Sequence, residues 1–177
     1  MIVSRRRLMD VGLTFAAAIL PAAAPPGKMV GPQLGDGFVP VGEPGRPALR
    51  AAELQVGVAP VLAWPVDLKT GKVRNAPFSF SEVLVLRASA GGSTGTIVAF
   101  SAVCPHAGCT VSQWLAKTHR LRCPCHGSEF DPARGGMVLA GPAPVPLPTL
   151  PVRVVDTFVT VAGTFSAPPG GHTSRTM

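Results

Sequence analysis

The sequence contains no tyrosine, few charged residues and no long apolar run. Charged residues make up 14% of the 177 residues. No extended stretch is rich in Ala, Glu, Lys, Leu and Arg, which argues against coiled coils and helical bundles. The formal net charge is +7, but no basic run is interleaved with aromatic residues, so nucleic-acid binding is not predicted. The length allows one domain with a sizeable core and excludes two of ordinary size.

Glycine and proline are abundant, at 20 residues each, while hydrophobic residues reach 46%. The hydrophobic share argues against a disordered chain. Runs of β-branched residues and polar–apolar alternation, bounded by turn residues, indicate strands rather than helices. We therefore predict a loop-rich, all-β domain with strands within residues 53–58, 82–87, 96–100 and 152–161.

Residues 1–24 have the pattern of an export signal. The triplet Arg5-Arg6-Arg7 precedes the apolar stretch Val11–Leu20, and Ala22–Ala24 supplies a cleavage pattern. A span of the bilayer needs about 20 apolar residues, so the segment is predicted to be cleaved or to serve at most as a weak anchor. Paired arginines are typical of the twin-arginine route, which predicts export of the folded protein to the periplasm.

All four cysteines lie between residues 104 and 125, in two short motifs that also hold two of the four histidines. Cys104–Cys109 reads C-P-H-A-G-C, and Cys123–Ser128 reads C-P-C-H-G-S. Two disulfides would leave both histidines without a role. Structural zinc sites usually pair a C-x2-4-C unit with an H-x3-5-H unit, whereas each motif here mixes the two residue types. A zinc-dependent binding module stays open as an alternative.

These motifs closely resemble those of Rieske iron–sulfur proteins. The resemblance implies a 2Fe–2S cluster with one iron bound by Cys104 and Cys123 and the other by His106 and His126. Neutral imidazoles in place of two thiolates raise the reduction potential, because the added electron is repelled less. The protein implied is an electron carrier that catalyses no reaction alone.

Other residues of the two motifs gain roles by the same resemblance. Cys109 and Cys125 are expected to form a disulfide, which fits an oxidising compartment. Phe130 stands where many high-potential members have a tyrosine that donates to a ligand cysteine. The potential is therefore expected below the upper end of the Rieske range, about +300 mV. The remaining residues expected to shape the cluster site are Ser128, Gly108, Gly127, Pro142 and Pro144.

The resemblance also implies a domain organisation. Antiparallel sheets are expected to form a base domain within residues 52–166, with a cluster-binding subdomain inserted at about residues 101–146. The Gly/Pro-rich residues 25–51 are predicted to be an extended arm, and residues 167–177 a mobile tail.

The class within the family is inferred from the residues available for a further iron site and from the sequence similarity of short segments. A ring-hydroxylating oxygenase needs a further iron site of two histidines and a carboxylate, but only His172 follows the second motif. Residues 52–56, 97–101, 128–131 and 135–141 are most similar to the small subunit of arsenite-oxidase-type molybdenum enzymes. That class implies a heterodimer with a large molybdopterin-containing subunit and a c-type cytochrome or cupredoxin as acceptor.

The alternative is the Rieske subunit of a cytochrome bc complex, which passes electrons from quinol to cytochrome c. Residues 125–128, C-H-G-S, and residues 141–144, G-P-A-P, resemble that class as well. In either class, membrane contact is expected at most through the N-terminal segment.

Overall fold

The computed structural model describes residues 31–74, 81–89 and 94–170. The predicted signal and residues 171–177 of the predicted tail lie outside these ranges. The strands are β1 (Gly37–Pro40), β2 (Val61–Val66), β3 (Val83–Ala88), β4 (Thr96–Ser101), β5 (Gln113–Leu115), β6 (Arg120–Arg122), β7 (Glu129–Asp131), β8 (Met137–Ala140), β9 (Val152–Val155) and β10 (Phe158–Val161). Short 3₁₀ helices span Ala51–Glu53 and Pro132–Arg134. Across the described ranges, no helix has the length and apolar character that a membrane crossing requires.

The base of the molecule is an antiparallel sheet in the order β1-β2-β3-β4, accompanied by the β9–β10 hairpin. Successive residues of a strand point to opposite faces of the sheet. Val83 and Val85 of β3 therefore enter one buried cluster, which also contains Val159 and Val161 of the hairpin. This cluster fastens the hairpin to the sheet.

The other face of the same sheet supports the part of the chain that carries the cysteine motifs. Leu84 and Leu86 of β3 and Phe100 of β4 enter a second buried cluster. Its remaining members belong to residues 102–147 and are Ala102, Cys104, Val111, Leu121, Cys123, Phe130, Ala143 and Leu147. Because β3 is covered on both faces, the base and the motif-bearing region share one sheet as a common wall.

The motif-bearing region is an insertion between β4 and β9. It contains a second antiparallel sheet in the order β5-β6-β7-β8. The chain leaves the base at Ser101 and returns beside it, where the Ser101 N–H donates to the Pro148 carbonyl at 2.8 Å. The N–H of Leu150 then donates to the Ala99 carbonyl, also at 2.8 Å. The prediction of an all-β protein built from antiparallel sheets is confirmed.

Two local predictions differ from the structure. Residues 25–51 were expected to form an extended arm, yet residues 37–40 form edge strand β1, pair with β2 and bury Phe38 completely. Proline is tolerated there because an edge strand leaves one side unpaired. The strand expected at 53–58 is wrong. The Glu53 carboxylate accepts from the Arg50 N–H at 2.8 Å and closes a 3₁₀ turn, and Gly57 has a φ of +80°.

Candidate metal centre

The two cysteine motifs fold into two loops with the same hydrogen-bond frame. In the first loop, the Cys104 N–H donates to the Cys109 carbonyl at 2.8 Å, and the Gly108 N–H donates to the Cys104 carbonyl at 2.9 Å. In the second, the Cys123 N–H donates to the Ser128 carbonyl at 2.9 Å, and the Gly127 N–H donates to the Cys123 carbonyl at 3.1 Å. Each six-residue motif is therefore a closed turn that begins at a cysteine.

Glycine holds the fifth position of both turns for a conformational reason. Gly108 has a φ of +77° and Gly127 a φ of +72°, a region that residues with a Cβ adopt only at an energetic cost. The positive φ reverses the chain and directs the loop back to the strand that follows. This explains the G in both C-P-H-A-G-C and C-P-C-H-G-S.

The first cysteine of each turn faces the interior. Cys104 and Cys123 are free thiols with only 1% and 2% of their surface exposed. Burial raises the pKa of the Cys104 thiol above its ordinary value, and a hydrogen bond to the Cys123 thiol raises it further. The His106 N–H and the Ser128 hydroxyl act in the opposite direction by donating to the Cys104 sulfur. Two adjacent buried thiols lose their protons readily only when a cation compensates their charge.

The histidines of the two turns meet at the surface. The Nδ1 atoms of His106 and His126 lie 3.2 Å apart, and the rings stand nearly perpendicular, at 86°. Imidazole nitrogens that share a tetrahedral metal ion at about 2.0–2.1 Å are separated by roughly 3.3–3.4 Å. The observed separation therefore fits two Nδ1 atoms directed at one metal ion. His106 is half-buried and His126 is exposed.

A disulfide between Cys109 and Cys125 joins the two loops covalently. The sulfur atoms of Cys109, Cys123 and Cys125 lie within 4.8 Å of one another. Three cysteine sulfurs this close together resemble a metal site. Two of them form the disulfide, however, and disulfide sulfurs are not thiolates and do not bind a metal as thiolates do. The thiols left for a metal are Cys104 and Cys123, which belong to the same two loops as the histidine pair.

A third segment, the proline segment Gly141–Pro146, packs against the second loop. The Ala143 N–H donates to the Ser128 hydroxyl oxygen at 3.1 Å, while Ser128 itself is buried. Gly141 has a φ of +82°, and a Cβ there would stand 2.5 Å from the Ser128 Cα and 2.7 Å from the Ser128 nitrogen. Pro142 and Pro144 are exposed on the outer side of the segment. Gly141 was not predicted as a site residue, although a glycine directly before a proline was the signal that could have singled it out.

Replacing Gly141 by alanine is expected to push the proline segment away from the second loop. Backbone strain at a positive φ and the collision with backbone atoms should together lower the free energy of unfolding by about 2 kcal/mol. The matched control is Gly135→Ala, where φ is +64° and nothing lies within 4 Å of the added Cβ. Denaturant unfolding of both variants measures the difference. Equal destabilisation would show that the close approach at Gly141 contributes nothing.

Phe130, the position compared with tyrosine in high-potential relatives, is completely buried on β7. It belongs to the same buried cluster as Cys104 and Cys123. Its ring is thus part of the apolar wall behind the two thiols. The structure therefore brings together the four expected ligands, the disulfide, Ser128, Phe130 and the proline segment in one place.

The donor set fits an iron–sulfur cluster with mixed ligands, since the two loops supply two buried free thiols and two less buried imidazoles. The family model for the Rieske [2Fe-2S] domain matches residues 60–151 of the chain. The chain belongs to this family. It is therefore an iron–sulfur electron-transfer protein with a Rieske-type 2Fe–2S cluster, and the zinc of the alternative interpretation is not the metal of this family.

Among curated relatives, the chain is 44% identical over 75 residues to the cytochrome bc1 complex Rieske iron-sulfur subunit of Streptomyces lividans, covering 42% of this chain and 44% of the relative. It is 39% identical over 102 residues to a putative respiratory nitrate reductase subunit Rieske of Haloferax mediterranei, covering 56% and 44%. The chain thus spans less than half the length of these relatives.

Among solved structures, the chain is 38% identical to the soluble domain of Rieske protein II from Sulfolobus acidocaldarius, with 45% of each chain covered and a TM-score of 0.39.

Proposed function

We propose that Cys104 and Cys123 bind one iron of the cluster and that His106 and His126 bind the other through Nδ1. The single observation that carries this assignment is the convergence of the two Nδ1 atoms, 3.2 Å apart, beside two free buried thiols. When bound, the cluster supplies a one-electron redox couple whose potential is raised by the two neutral ligands. The chain's own residues hold it, exclude water from the thiol side and leave the histidine side open.

In this proposal, the unequal burial of the ligands determines which side of the cluster a redox partner can approach. The thiol side is sealed by the apolar cluster that contains Leu121 and Phe130, whereas His126 is exposed. A redox partner therefore reaches the histidine side at close range and the thiol side only through the protein. The two histidines are the surface at which electrons enter and leave.

For the assembly, we propose that the chain serves in a cytochrome bc complex and passes electrons from quinol to a c-type cytochrome. Support comes from the bc1 Rieske subunits of Streptomyces and Corynebacterium species among its relatives. Two sequence features add support, namely C-H-G-S at residues 125–128 and G-P-A-P at residues 141–144. The relatives favour this assignment over the arsenite-oxidase type.

A second candidate is the electron-transfer subunit of an arsenite-oxidase-type molybdenum enzyme, with a large molybdopterin-containing partner and a cytochrome or cupredoxin acceptor. One observation supports a partner other than a bc complex: the Haloferax relative, 39% identical over 102 residues, is a putative respiratory nitrate reductase subunit.

We further propose that the protein reaches the periplasm folded, through the twin-arginine route. Residues 5–7 carry the paired arginines, and the disulfide between Cys109 and Cys125 needs an oxidising compartment to persist. Cell fractionation tests this directly: replacing Arg5 and Arg6 by lysine should leave the chain in the cytoplasm.

The electron donor is tested in membranes and soluble extracts of the native host. We expect a quinol analogue to reduce the cluster, as followed by its electron paramagnetic resonance signal, and arsenite to have no effect. Reduction by arsenite without a quinol would overturn the cytochrome bc assignment and support the second candidate. Extracts containing the Cys123→Ser variant, which lacks a proposed ligand, give the background for both donors.

Replacing Phe130 by tyrosine tests whether the ring at this position faces the cluster. The added hydroxyl is expected to donate to a ligand thiolate, disperse its charge and stabilise the reduced form. A charge-assisted hydrogen bond is worth about 1.5–3 kcal/mol. A third of that difference, about 0.5–1 kcal/mol, raises the potential by roughly 20–40 mV for one electron. Protein-film voltammetry measures the change. An unchanged or lower potential would place the hydroxyl away from the thiolates.

A further inference from the structure

Arg122 is the last residue of β6 and directly precedes Cys123, the first residue of the second loop. Its guanidinium lies over Gly127, with Nη2 3.5 Å and Nε 3.9 Å from the point where a Cβ on that glycine would stand. Gly127 follows His126, the exposed proposed ligand. The absence of a side chain at Gly127 thus leaves room for a cation beside the second loop.

The carboxylate of Glu129, the residue paired with Arg122 across the strands, already forms an ion pair with another arginine. In the β6–β7 ladder, Arg122 lies directly opposite Glu129. Residues two apart on a strand share a face, so Arg120 and Arg122 both have access to that carboxylate. Glu129 Oε2 lies 3.0 Å from Nη1 of Arg120, and no ion pair involves Arg122 within the described part of the chain. Two arginines and one carboxylate leave a full positive charge on Arg122.

We propose that the unpaired guanidinium of Arg122, which lies over Gly127, raises the reduction potential of the cluster in the adjoining loops through its positive charge. The inference rests on the proposed ligand set. Reduction adds a negative charge to the centre, and a nearby fixed cation stabilises the more negative state. The effect is electrostatic and requires no contact between Arg122 and a ligand atom.

The expected size of the potential shift depends on the solvent exposure of Arg122. Its side chain is exposed, so water and salt screen its charge. Loss of the charge is expected to lower the equilibrium constant for one-electron reduction roughly threefold to tenfold. At 59 mV per tenfold, this is a fall of about 28–59 mV. The shift should shrink as the salt concentration is raised.

The test is protein-film voltammetry on the full-length, cluster-loaded protein at low salt. Arg122→Gln should lower the potential, while Arg122→Lys, which keeps the charge, should stay near the wild-type value. The matched control is Lys117→Gln, which removes one positive charge from an exposed residue in the turn between β5 and β6. We expect this control to change the reduction constant by less than a factor of two.

A second variant neutralises Arg122 without altering it. Gln113 of β5 lies directly opposite Arg122 in the β5–β6 ladder, and cross-strand neighbours of opposite charge pair readily. Gln113→Glu should therefore also lower the potential, because the added carboxylate offsets the charge of Arg122 at the same place. This variant keeps the proposal testable even where Arg122→Gln fails to retain its cluster.

The outcomes separate this inference from the ligand proposal. Each sample is also examined in the reduced state by electron paramagnetic resonance for nitrogen coupling from histidine. With that coupling intact, potentials of Arg122→Gln and Gln113→Glu equal to that of Lys117→Gln overturn the role of Arg122. An equal fall in Arg122→Lys and Arg122→Gln overturns it as well, because charge is then not the cause. Absence of histidine coupling in the wild type contradicts the ligand set instead.

Discussion

Cys123→Ser is expected to yield a colourless protein without bound iron. Cys123 is a free, buried thiol next to Cys104, and the proposed cluster depends on both thiolates. A serine hydroxyl at this position would have to lose its proton in a buried site to replace the thiolate, which is strongly unfavourable. Iron and sulfide analysis with visible absorption measures the loss. The expected change is complete loss of the cluster.

A matched control uses the same chemical substitution at cysteines that are not proposed ligands. The double variant Cys109→Ser/Cys125→Ser removes the disulfide and leaves Cys104, His106 and Cys123 in place. It should still bind iron and sulfide. A Cys123→Ser protein with wild-type iron content and spectrum would remove Cys123 from the ligand set.

The same double variant is expected to lose stability even though it keeps its cluster. The bond joins two loops whose cysteines are separated by 16 positions. A crosslink over a loop of this length stabilises the folded state by about 3 kcal/mol, chiefly by restricting the unfolded chain. Guanidinium unfolding followed by circular dichroism should therefore give a markedly lower midpoint for the variant. Replacing both cysteines avoids a lone thiol that could compete for iron.

Chemical reduction supplies an independent check on the disulfide. Wild-type protein treated with a thiol reductant should unfold at nearly the same denaturant concentration as the double variant. Equal midpoints for oxidised wild type and double variant would show that the bond between the loops adds no stability.

The turns that carry the predicted ligands are determined by local sequence. Proline, glycine and cysteine at set positions within six residues produce a closed turn whose backbone hydrogen bonds lie inside the motif. The uninterrupted apolar run Val83–Leu86 is likewise typical of a strand covered on both faces, and β3 is buried on both. Such features depend on neighbours in the sequence and on elementary backbone geometry.

Features that depend on distant parts of the chain were not predictable. Strand β1 has four residues and exists through its pairing with β2, more than twenty positions later. Glu129 pairs with Arg120 rather than with Arg122, and only the packed sheet decides this. The need for glycine at position 141 arises from contact with Ser128. Residues 53–58 alternate as a strand does, but Gly57 and the Glu53 hydrogen bond favour a turn.

The most direct test of the central claim is pulsed electron paramagnetic resonance of the reduced protein labelled with ¹⁵N-histidine. Ligation by His106 and His126 predicts strong coupling of the cluster spin to two imidazole nitrogens, with an average g value below 2. A reduced cluster without nitrogen coupling would mean that neither histidine binds its iron. No signal from a protein that binds metal would mean that the site holds no 2Fe–2S cluster.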